Sequence, residues 1–129
     1  TANFFSYSLK PGCSGAWDNG GASVGIQINE DGLRDSSRAE IFKIPNRAIV
    51  FGGDDVFGSR ISKNLSITSL LNEKYPKWYF INAGLPFSSF PAQAMRLFDL
   101  AEIYKPKRII WILNSILENQ NKKTKSMKS

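Results

Sequence analysis

Three short, continuous apolar runs constrain this chain more than anything else in it: Ala48-Ile49-Val50-Phe51, Trp78-Tyr79-Phe80-Ile81 and Ile109-Ile110-Trp111-Ile112-Leu113. None alternates with polar residues, so each reads as a strand covered on both faces, as in a parallel sheet. The first ends at Gly52-Gly53 and the second at Asn82-Ala83-Gly84. Between them, Leu65, Thr68, Leu71 and Tyr75 recur at helical spacing, and Pro76 stops the pattern. Before the third run, Ser88 or Ser89 can cap a helix with Pro91 in its first turn. Its expected buried face is Ala94, Leu97, Phe98 and Ala101, with Pro106 beyond its end. Strands alternating with such helices predict an α/β fold with a right-handed parallel sheet. Ligands then bind beyond the carboxyl ends of the strands. Here that rim carries residues 52–58, 82–89 and 114–119.

The segment before the first run is different. Residues 1–46 are rich in turn formers, with Val24, Ile26 and Ile28 alternating as a half-buried strand. The expected organisation is an N-terminal arm (1–46), an α/β core (47–120) and a basic tail (121–129). Lys122, Lys123, Lys125 and Lys128 lie in that tail without an acid, and they supply most of the net charge of +6. The other thirteen basic and eleven acidic residues leave only +2. No aromatic residue is interleaved with the tail lysines, so no nucleic-acid partner is expected. The apolar runs fall far short of the ~20 residues of a membrane-spanning helix. No basic segment followed by an apolar core opens the chain, so no secretion signal is visible in it.

The histidine count is zero and the only cysteine is Cys13. No Ser-His-Asp triad, Cys-His dyad, His-ligated metal or Cys-rich zinc site can be built from these residues. The first rim loop, Gly52-Gly53-Asp54-Asp55-Val56-Phe57-Gly58, is neither a Walker loop nor a G-x-G-x-x-G fingerprint. Asp54 and Asp55 at a strand's end could hold a divalent cation through oxygen ligands. A receiver-type domain would also place an Asp after the third strand, where this chain has Asn114. The plainer reading is a turn in which an Asp caps the next segment. In Asn29-Glu30-Asp31-Gly32-Leu33-Arg34-Asp35, turn chemistry dominates, and Arg34 and Asp35 could form a surface ion pair worth ~0–1 kcal/mol. Trp78, Tyr79, Phe80, Phe98 and Trp111 read as core.

In order and spacing, four segments together resemble the GDSL, or SGNH, ester hydrolases. Asn29-Glu30-Asp31-Gly32-Leu33-Arg34-Asp35 resembles the N-x-D-G-[FL]-R-D stretch found upstream of the nucleophile in many longer members. Val50 to Gly58 resembles the strand leading into G-D-S-x-T-x-G. Asn82-Ala83-Gly84-Leu85-Pro86-Phe87 resembles N-[AL]-G-[VI]-P-G, and Tyr104-Lys105-Pro106 precedes a hydrophobic strand as in Y-K-P-D. The resemblance implies a three-layer, flavodoxin-like sheet of order 2-1-3-4-5, of which this chain carries the first three core strands. It implies a serine ester hydrolase that needs no cofactor.

The resemblance also sets positions at which the chain departs from the family. The nucleophile position falls on Asp54 or Asp55, depending on register, so an acid replaces the hydroxyl. The oxyanion region falls on Gly84, Phe87 and Asn114, with Phe87 in place of the donor glycine. The family's G-x-N-D asparagine would fall near Ile116 or Leu117, two or three residues from Asn114 and Asn119. The D-x-x-H block is absent. Acyl transfer needs nucleophile, base and oxyanion donors together. The expectation is therefore an SGNH-like domain without esterase activity. The alternatives are an active hydrolase completed by a further segment, and a cation- or ligand-binding module using Asp54 and Asp55. With three core strands, Ile109–Leu113 becomes an apolar sheet edge, through which a homo-oligomer is expected.

Overall fold

The computed structural model describes residues 9–18 and 23–113. The expected tail and the whole of the third rim loop, 114–119, lie outside the described residues. The described chain is mixed α/β. A hairpin comes first, with β1 (Ser14–Asp18) antiparallel to β2 (Ser23–Gln27). Val24 and Ile26 are half-buried between exposed neighbours, as the alternation predicts. The chain then runs through α1 (Arg38–Ile41), β3 (Asn46–Gly52), α2 (Asp54–Phe57) and a 3₁₀ turn at Lys63–Leu65. It ends with α3 (Ile67–Lys74), β4 (Trp78–Gly84), α4 (Phe90–Tyr104) and β5 (Arg108–Trp111).

The three apolar runs form one parallel sheet of order β4-β3-β5. Side chains alternate across it. Ile49, Phe51, Ile81 and Ala83 join Leu33, Ile41, Leu100 and Tyr104 on the α4 face. Ala48, Val50 and Phe80 join Val56 on the opposite face. Both faces of β3 are therefore covered, which is why its sequence does not alternate. Ser66 caps α3 and Ser89 caps α4 through their side-chain oxygens, and Pro91 sits in the first turn of α4. No helix among the described residues is long and apolar enough to cross a membrane.

Two expectations about packing are corrected. Helix α4 is rotated from the face read in the sequence: its buried residues are Ala92, Gln93, Arg96, Leu100 and Tyr104. Phe98, expected in the core, is 77% exposed. Polar side chains reach the interior because partners wait there. Arg96 donates to the Ala83 and Gly32 carbonyls, and Gln93 accepts from the Trp111 indole at 2.7 Å. Leu65 and Tyr75, at the ends of the expected α3 pattern, lie outside the helix and are exposed.

The free edge of β4 is closed by side chains. Asn72 accepts from Phe80 N at 2.6 Å and donates to Phe80 O, imitating a neighbouring strand. One residue pair further, the Asp35 carboxylate accepts from Asn82 N at 2.8 Å. Among the described residues, no strand pairs with the outer edge of β5.

Candidate functional site

The strand ends place glycines where a helix must press on the sheet. A Cβ on Gly84 would lie 2.3 Å from Phe57 N and 2.8 Å from Phe57 Cα. On Gly52 it would lie 2.4 Å from a Val56 methyl. Helix α2 thus rests directly on the ends of β3 and β4. Gly53 precedes it without a side-chain cap, and Asp54 and Asp55 occupy its first turn. Asp55 accepts from Val56 N at 3.1 Å, and Gly58, at φ 73°, turns the chain out of the helix.

The loop after α2 is pinned from below by Arg34. This guanidinium donates to the carbonyls of Phe57 (3.1 Å), Gly58, Ile61 (2.9 Å) and Gly25 (3.3 Å). Its side chain is fully buried, and that burial lowers its pKa. Asp35 is buried as well, and accepts from Tyr79 OH, Ser36 N and Asn82 N. Burial raises its pKa against the pull of those three donors. The surface ion pair expected between Arg34 and Asp35 does not form. The two side chains leave Leu33 toward different partners, one to the α2 loop and one to the β4 edge.

Asn29 ties this turn together. Its carbonyl accepts from Asp31 N (2.9 Å) and Leu33 N (3.0 Å), and its amide donates to Ser36 O and Tyr104 OH. Asp31 pairs with Arg38 and accepts from Tyr104 OH. The Arg38 contact holds the Asp31 carboxyl below its ordinary range.

The second rim loop follows β4. Asn82 turns its carbonyl onto Gly84 N at 2.9 Å, while its buried amide nitrogen has no hydrogen-bond partner. Ser88 donates to Leu85 O and accepts from Gln93. Between these residues Phe87 takes φ 55°, a left-handed conformation unfavourable for any side chain beyond glycine. Its ring is 81% exposed.

The two rim loops enclose a cleft of about 400 Å³ lined by Asp54, Asp55, Ser59, Arg60, Ile61 and Phe87. Three of the residues singled out in the sequence, Asp54, Asp55 and Phe87, therefore share one site. Gly84 does not join them. It lies beneath α2 with its N–H already given to Asn82, so it has no donor to offer. Asn114 lies outside the described residues. Asp54 and Asp55 meet no third acid, Cys or His in an ion-sized cluster among the described residues. The cleft is lined by two carboxylates, a guanidinium and an aromatic ring, and Arg60 and Phe87 already take part in interactions of their own. A second cleft, of about 410 Å³, lies between Glu30 and α4, but its Asp31 and Arg96 are already engaged by other parts of the protein.

The sequence reading missed the supporting layer beneath this site: Asn29, Arg34, Asp35 and Tyr104. The available signal was the density of polar residues around Leu33, whose full burial forces its neighbours inward. No family model, curated protein or solved structure matches this chain.

Proposed function

We propose that this chain is an SGNH-like α/β domain that binds a ligand at its strand-end cleft without hydrolysing esters. The observation that carries the reading is the pairing, across one cleft, of an acidic α2 turn with Phe87. Phe87 holds the positive φ of a glycine at the position where the resemblance has one. Strand order supports the same reading, because β4-β3-β5 corresponds to the family's 2-1-3. A carboxylate at the nucleophile position would repel a developing oxyanion rather than form it. By the resemblance, the exposed Phe87 side chain would also stand where a substrate carbonyl approaches. The two carboxylates suit a hydroxyl-rich ligand, whose hydrogen bonds they can accept, with Arg60 and Phe87 as neighbouring walls of the cleft.

Two readings compete with this one. An active hydrolase needs a base, and with no His in these 129 residues that reading takes the base from a further segment. A divalent-cation site would have to complete its shell with water and backbone oxygens, since two adjacent carboxylates are few for six or more ligands. The test is p-nitrophenyl acetate turnover by wild type and by the Asp54→Ala, Asp55→Ala double variant. Equal, background rates are expected. Turnover by wild type that disappears in the double variant would overturn the proposal.

A further inference from the structure

One polar side chain of the strand-end cleft is both buried and without a partner. Ser59 lines the cleft and is only 6% exposed, and its hydroxyl makes no hydrogen bond among the described residues. The local chain sets this up. Gly58, at φ 73°, turns the backbone out of α2. On either side of Ser59, the carbonyls of Phe57, Gly58 and Ile61 are held by Arg34. The other polar walls are better supplied. Asp54 and Asp55 are exposed to water, Asp55 also accepts from Val56 N, and Arg60 has an interaction of its own. A buried hydroxyl left unpaired is costly, so it calls for a group that completes it.

We propose that Ser59 is a specificity-determining residue of the cleft, whose hydroxyl selects a neutral polyol or sugar as the ligand; this selection rests on the ligand-binding reading of the same site. The set of donors and acceptors decides the class. The carboxylates of Asp54 and Asp55 only accept, whereas the Ser59 hydroxyl both donates and accepts. An anionic ligand can accept from Ser59 but is repelled by the two carboxylates. An ammonium group donates to all three and accepts from none, which leaves the Ser59 proton unpaired. A ligand hydroxyl does both, and neighbouring hydroxyls on one molecule serve Ser59 and the carboxylates together. Exposed carboxylates merely exchange water for ligand, so most of the discrimination falls on the buried group. The cleft, of about 400 Å³, lies near the lower end of the ~300–1,000 Å³ of ordinary ligand pockets, which suits a compact polyol.

Proton–nitrogen correlation spectra of the 129-residue chain, titrated with glycerol, myo-inositol, glucose and cellobiose, read the contact. At least one of the four is expected to shift the amides of Ser59, Arg60 and Ile61 saturably. Ethylammonium is expected to bind at least about tenfold more weakly than that polyol. Ser59→Ala is expected to weaken polyol binding about tenfold and to leave the melting temperature unchanged or higher, because the hydroxyl it removes holds no part of the fold. A lower melting temperature marks a structural hydroxyl and overturns the proposal. Polyol binding lost in the Asp54→Asn, Asp55→Asn double variant but indifferent to Ser59→Ala overturns the role of Ser59 and leaves the ligand-binding cleft standing. No saturable shift with any of the four, or tighter binding of ethylammonium, overturns the polyol class. Ester turnover that depends on Asp54 and Asp55 overturns the reading beneath it.

Discussion

Phe87 offers a measurable signature of the rim loop, because its strain can be separated from its side chain. A non-glycine residue in the left-handed region costs ~1–2 kcal/mol relative to the right-handed one. Phe87 is held there at φ 55°. Phe87→Ala removes the ring and whatever it contacts but keeps the Cβ and hence the strain. Phe87→Gly removes the same ring and the strain together, while giving the unfolded chain ~0.4–1 kcal/mol of additional backbone entropy. The ring's contacts cancel between the two variants. Phe87→Gly should therefore be more stable than Phe87→Ala by ~0.5–1 kcal/mol, a rise of about 2–8 °C in Tm for a domain of this size. Lys105 supplies an internal control. It sits at φ 45° just past α4, where glycine is the usual helix terminator, so Lys105→Gly should exceed Lys105→Ala by a similar margin. The assay is thermal and urea unfolding of the four variants by circular dichroism. If Lys105→Gly gains and Phe87→Gly does not, Phe87 is unstrained, and the glycine-like geometry assigned to its loop is wrong.

Other expectations follow from the packing around the cleft. Gly84→Ala meets the α2 backbone, which cannot yield, and should cost more than the ~1–3 kcal/mol typical of overpacking, while Gly52→Ala meets chiefly the Val56 side chain, with Ile112 O at 3.2 Å, and should cost less than Gly84→Ala; chemical denaturation ranks them. Asn72→Ala uncovers Phe80 N and O on the β4 edge and should cost ~1–3 kcal/mol for the unpaired groups, read as a lower urea midpoint. Two buried carboxyls should give opposite pH slopes. Asp31, held below 3.8 when folded, stabilises the protein above that pH, and its contribution is lost as the pH falls through its folded pKa. Asp35, raised above 3.8 when folded, contributes stability at low pH that is lost as the pH rises through its folded pKa. Asp31→Asn should flatten the acid limb of a stability–pH curve, and Asp35→Asn the decline above it.

How much of this was legible in the sequence depended on whether a feature was local. The strands were readable because burial on both faces writes a continuous apolar run, and β3 and β4 were located to within a residue or two by their glycine ends. The caps Ser66 and Ser89 act within three residues of their own position, and Ser89 was accordingly one of the two candidates, with Ser88, that the sequence offers for α4. Helix α4 was read with its face turned too far, because the stripe of Ala94, Leu97, Phe98 and Ala101 is a true amphipathic signal that lies at the margin of the buried face rather than at its centre. Ala94, Leu97 and Ala101 are only half-buried, with Leu97 at the margin of the core, Phe98 is exposed, and the centre of the contact is formed instead by Gln93, Arg96, Leu100 and Tyr104. No periodicity rule assigns an arginine to a core, because what makes it tolerable is a carbonyl 64 residues away, at Gly32.

The same reasoning changes the place of the Asn29–Asp35 turn in the molecule. In the sequence it is a polar loop upstream of the core, and the natural guess is a surface element with a weak ion pair. In the fold, four of its polar side chains reach three different parts of the structure: Asn29 and Asp31 end on Tyr104 at the end of α4, Arg34 on the loop after α2, Asp35 on the edge of β4. The two rim loops of the cleft are thus positioned by one short segment outside the sheet, and Arg34 is the link to the first of them. A buried guanidinium shared among four carbonyls cannot be replaced by lysine, whose single nitrogen cannot reach three acceptors at the end of α2 and its loop and a fourth in β2. Arg34→Lys should therefore loosen the walls of the cleft before it unfolds the core. Faster amide exchange at Gly58 and Ile61, with β3 still protected, is the expected pattern; uniform loss of protection across β3 and the loop would place Arg34 in the core's global stability instead.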